Sequence, residues 1–154
     1  MKREIRLAAL LPPLLAVMLT AAGCGGMFKD VVPKKNAREV GFLPVFSWKA
    51  KDAVADLKFE LYRAADFNVE AKQAVGEPIL RAANFTPFPE QKIALADTET
   101  LISRYRAEGE FLASASEGLE PETDYVWVLS GTGPKGPIME IYKFRTRKDY
   151  YRPD

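Results

Sequence analysis

The side chains considered first for acid–base or nucleophilic work in this chain are carboxylates and hydroxyls, and it contains no histidine to assist them. Histidine is the commonest general base near neutral pH and the commonest metal ligand, so its absence argues against activated-serine chemistry and against most metal sites. Ser47, Ser130 and Thr146 have no imidazole to take a proton from them. The acids Glu108, Glu110, Glu117, Glu120, Glu122 and Asp124 gather in one stretch, and a carboxylate pair is what glycoside hydrolysis requires. They read as solvated turn residues, because no cleft is suggested and a chain this short has little room for one. Gly131-Thr132-Gly133-Pro134-Lys135-Gly136 spells G-x-G-x-x-G. A dinucleotide fingerprint needs a helix next, whose N-terminus holds the pyrophosphate; here Pro137 leads into a strand pattern. The glycines read as a β-connection, with Gly133, Lys135 and Gly136 kept as candidate loop contacts. The expectation is a protein that is not an enzyme, uses no cofactor and binds no metal.

The remaining reactive side chain is the single cysteine, Cys24, which excludes an internal disulfide. It stands at the end of a secretory pattern: basic Lys2, Arg3 and Arg6, then the apolar run Leu7 to Ala22 interrupted by Pro12-Pro13. That run has 16 residues, short of the roughly 20 that a membrane-spanning helix requires. Small residues before the cysteine, in Leu19-Thr20-Ala21-Ala22-Gly23-Cys24, resemble the lipobox of bacterial lipoproteins. The resemblance implies cleavage after residue 23 and a diacylglyceryl thioether on Cys24. The residue three before the cysteine is Ala21 where the lipobox usually has Leu. Cleavage at the Ala-x-Ala-like residues, leaving a free thiol, is the alternative. Gly25 in place of Asp after the cysteine implies, by the same resemblance, the outer membrane of the bacterial cell envelope. A single acyl chain holds a protein on a bilayer only marginally, while two hold it stably.

Charge sets further bounds. Removing Lys2, Arg3, Glu4 and Arg6, a net +2, from the formal charge of +1 leaves −1 for the remainder. No basic block stands out, so nucleic acid is not an expected partner. From 24 to 41 the chain mixes Gly, Lys, Asp and Asn with single apolar residues and Pro33, and reads as a lipidated N-terminus followed by a flexible tether.

From 42 to 148 the pattern is that of short strands. Phe46 and Trp48 share one face of 43–49, and Leu57, Phe59 and Leu61 alternate with Lys58 and Glu60. Residues 77–81 form a short edge strand that tolerates Pro78. Asp97 caps a short helix reaching Tyr105, and 111–115 reads as a strand. A turn at Leu119-Glu120-Pro121-Glu122-Thr123 feeds a strand on which Tyr125, Trp127 and Leu129 point inward. Gly131 to Pro137 is a loop, and 138–145 is the last strand, with Tyr142 and Phe144 inward. The closing residues 149–154 are a tail.

These segments together resemble a fibronectin type III domain: Phe46-Ser47-Trp48, Phe59-Glu60-Leu61-Tyr62, Leu119-x-Pro121-x-Thr123-x-Tyr125-x-Trp127, and Tyr142-Lys143-Phe144-Arg145-Thr146. The resemblance spans residues 40–148 and implies an all-β, immunoglobulin-like two-sheet sandwich whose corner tyrosine hydrogen-bonds to the preceding turn. Residues 64–110 are longer than the family's passage between these strands and form an insertion with room for one short helix.

Inward Tyr125, Trp127 and Leu129 leave Val126 and Val128 facing outward, beside Lys58, Glu60, Tyr62, Lys143 and Arg145. An apolar centre with a charged rim is a candidate protein-binding face; equally, the insertion can cover the valines as a second small core. The functional expectation is a membrane-anchored, non-catalytic structural or protein-binding module with an envelope protein as partner. The alternative is a glycan- or peptidoglycan-binding accessory domain using Tyr62, Tyr150 and Tyr151.

Overall fold

The computed structural model describes residues 26–115 and 117–148. The expected signal segment 1–23, Cys24 and the expected tail 149–154 with Tyr150 and Tyr151 lie outside the described residues. The chain runs through β1 (Phe28–Val32), β2 (Ala37–Val40), β3 (Val45–Ala50) and β4 (Ala55–Arg63), then a single 3-10 turn at Ala64–Asp66. A small hairpin of β5 (Phe67–Asn68) and β6 (Gln73–Ala74) follows, then β7 (Leu80–Ala82) and β8 (Glu90–Ala94). Two short helices, α1 (Thr98–Arg104) and α2 (Glu110–Ala113), precede the long strands β9 (Asp124–Gly133) and β10 (Gly136–Thr146).

Besides the β5-β6 hairpin, two sheets form among the described residues, one ordered β1-β3-β8 and the other β2-β10-β9-β4-β7. The expected all-β sandwich is the observed fold. Period-two alternation explains it: Phe46 and Trp48 of β3 and Ile93 of β8 face Phe59, Leu61, Trp127, Leu129 and Phe144 of the larger sheet in one buried core. The Phe46 ring meets Phe59, Trp127 and Phe144 edge-on at 5.0, 5.2 and 5.8 Å. Such pairs contribute about 0.5–1.5 kcal/mol each beyond their area burial.

Several segments depart from the sequence reading. Residues 28–40, expected in the tether, are β1 and β2, so the sandwich begins at Phe28 rather than 42. β1 pairs with β3, and β2 runs parallel to β10. As edge strands they bury few side chains, only Phe28 being fully buried, which is why their hydrophobic pattern is faint. The expected loop 131–137 is mostly ladder, with Gly133 paired to Gly136 and only Pro134-Lys135 at the turn. Gly131 is required there, because a Cβ would stand 2.8 Å from Ala55 O.

In the insertion, α1 forms as expected, with the Asp97 carboxylate accepting from Thr100 N at 3.1 Å. Residues 111–115, expected as a strand, instead contribute to α2. The edge of β7 is already occupied: Arg81 and Glu108 exchange backbone hydrogen bonds of 2.8 and 2.9 Å, and Phe111 N reaches Ile79 O. Gly109, at φ 133°, then turns the chain, and Leu112 and Ala113 suit a helical turn better than a strand. Leu101 and Phe111 are buried in the main core, whereas Ile102 is 54% exposed.

Candidate functional site

The outward face of β4, β9 and β10 is a closed second core. Val126 and Val128 are 0% and 1% exposed, and Tyr62 is 3% exposed. After Arg63 the chain folds back so that Phe67 joins these three side chains, with Ala64, Val69 and Ile141 around them. The Tyr62 and Phe67 ring centroids are 5.1 Å apart. Of the two readings of this face, the covered second core is the one observed, and the open binding face is not. A bulky apolar residue on the outer side of a central strand must find cover, and Phe67 was the sequence signal for it.

The rim of that face is held by ion pairs. Arg81 bridges Glu60 at 2.8 Å and Glu108 at 3.3 Å, and Arg145 meets Asp124 at 2.9 Å. Lys58 and Lys143 are exposed on its two flanks. Burial pushes the Tyr62 phenol up to about 12, and the Glu60 carboxylate adds to the shift.

Of the acids grouped in the sequence, Glu110, Glu117 and Glu120 line one shallow groove of about 220 Å³. Glu110 and Glu120 meet at the Arg63 guanidinium, at 3.4 and 3.5 Å, and Glu108 and Asp124 go to the arginines above. Exposed pairs of this kind contribute little stability individually. Gly133, Lys135 and Gly136 form a tight hairpin tip, with Gly136 at φ 113°. Strand β10, not a helix, follows them, so the backbone makes no phosphate cradle of the dinucleotide type. Among the described residues no group of three or more acidic, His or Cys side chains could hold a metal ion, and no helix is long and apolar enough to cross a membrane.

The corner forms as its sequence implied. Glu120 N donates to the Tyr125 hydroxyl at 3.0 Å. Thr146 completes it: its hydroxyl donates to Glu120 O at 2.6 Å and accepts from Thr123 N at 2.9 Å. Leu119 is buried beneath, and its N–H donates to Phe42 O at 2.8 Å.

One polar site escaped the sequence reading. Glu140 occupies an inward position of β10, and its Oε1 accepts from Met27 N and, at 3.2 Å, from Phe28 N. Its other oxygen accepts from the Tyr142 hydroxyl, whose ionisation burial and this carboxylate push upward. A carboxylate interrupting the inward series before Tyr142 and Phe144 was the available signal. No protein-family model matches the chain, and no curated protein matches it in sequence.

Proposed function

We propose that this protein is a bacterial lipoprotein, cleaved before Cys24 and held on a cell-envelope membrane by acyl chains on that residue. It carries a fibronectin type III-like sandwich that acts as a non-catalytic structural or protein-binding module. The observation that carries the reading is the position of the only cysteine: it ends the apolar run and stands four residues before β1. The strand order β1-β3-β8 facing β7-β4-β9-β10 and the Tyr125 corner support the fibronectin type III-like assignment. The engagement of Glu60, Glu108, Glu110, Glu120 and Asp124 in ion pairs with arginines supports a structural rather than catalytic use of the acids. The glycan-binding alternative loses support with Tyr62, whose ring packs against Phe67 inside the second core.

Inhibiting lipoprotein signal peptidase with globomycin should make a slower-migrating precursor accumulate. Cys24→Ser should abolish lipid modification and retention in the membrane fraction. Normal processing and retention of that variant would refute the anchor.

A further inference from the structure

The start of the described chain is fixed at one end of the sandwich. Lys51 N donates to Met27 O at 2.9 Å, Glu140 receives the Met27 and Phe28 amides, and the Met27 side chain lies beside Gly133 of the β9–β10 hairpin. Gly26 lies against the Glu140 carboxylate, and a Cβ there would stand 2.6 Å from Oε1, so that Glu140 would have to shift. Cys24 is two residues earlier, so its sulfur-bearing residue can reach no more than about 7 Å from Gly26. An anchor so close leaves little freedom in which end faces the bilayer.

That end differs in chemistry from the opposite one. The β3–β4 turn, the β9–β10 hairpin and the 83–89 connection all meet there, the last tied in by Ala50 N donating to Pro89 O at 2.7 Å. At its tip Phe88 is 65% exposed between two exposed prolines, beside a groove of about 240 Å³ shared with the β3–β4 turn. Lys51 and Lys135 are exposed at the same end, together with the acids Asp52, Asp56 and Glu90. The far end carries the Arg63 and Arg145 ion pairs, and the chain-start end the Lys49–Glu90 pair at 2.6 Å.

We propose that the chain-start end of the sandwich rests on the phospholipid surface, with Phe88 at the headgroup boundary and Lys51 and Lys135 toward lipid phosphates. The inference rests on the acyl anchor at Cys24. The acyl chains hold the protein, and Phe88 sets its height and tilt, leaving the Pro121 corner directed away from the membrane.

The test uses full-length protein extracted from membranes and reconstituted in phosphatidylethanolamine–phosphatidylglycerol vesicles containing nitroxide-labelled lipid. An environment-sensitive fluorophore is placed on Phe88→Cys, on Lys135→Cys and, as the far-end control, on Val75→Cys, a position 67% exposed. Labels at 88 and 135 should be quenched several-fold more than the label at 75. Equal quenching at the three positions, or stronger quenching at 75, in protein whose Cys24 is acylated overturns the orientation while leaving the anchor intact. Labelling of the unsubstituted protein at a free Cys24 thiol overturns the anchor, and the orientation with it.

Discussion

Two hydroxyls hold the Pro121 turn against the sheet, and they do so with different numbers of bonds. Tyr125→Phe removes the acceptor for Glu120 N–H and should destabilise the domain by about 1–3 kcal/mol in urea unfolding. Thr146→Val removes partners from both Thr123 N–H and Glu120 C=O, so its loss should be the larger of the two. A second residue-scale prediction concerns alkali. Burial raises the phenols of Tyr62, Tyr125 and Tyr142, Tyr62 to about 12. The fold favours the neutral phenol, so this stabilisation is complete below the unfolded value of about 10 and is lost as pH climbs through the folded values. Stability followed by urea titration should fall from about pH 10 upward, and more shallowly in Tyr62→Phe. The corner was legible in the sequence because Leu119, Pro121, Thr123 and Tyr125 are local and each has one evident task. Glu140 was not, because the amide it serves is 113 residues away.

At the scale of elements, the second core turns a binding question into a stability one. Phe67→Ala should cost about 3–5 kcal/mol by opening a cavity over Val126 and Val128. Val128→Lys would bury an unpaired charge and should cost more than about 4 kcal/mol, read as a lowered urea midpoint. A soluble, fully stable Val128→Lys protein would mean that the face is open after all. Strands β3, β4, β9 and β10 were legible because each buries one face and alternates. The insertion was half legible: Asp97 announced α1, while the chain after Gly109 turned helical because β7 had no free edge left for it. That is tertiary competition for backbone hydrogen bonds, invisible to a window of 5 residues such as 111–115.

The whole molecule is organised by the shortness of the path from Cys24 to β1. Were residues 24–41 a flexible spacer, a chain starting at Gly41 would fold as well as the full domain. Because β1 and β2 close one edge of each sheet and Phe28 fills the core, such a truncation should lower thermal stability sharply and expose hydrophobic surface to dye. On the proposed anchor at Cys24, a sandwich that begins four residues later is suited to holding a partner near the membrane rather than reaching for one. The most direct measurement is the intact mass and N-terminal peptide of the protein extracted from its native membrane. The account predicts a chain beginning at Cys24, with the mass of a diacylglyceryl thioether and any further acyl group on that residue. A retained segment 1–23, or a cleaved chain bearing an unmodified Cys24 thiol, would contradict it.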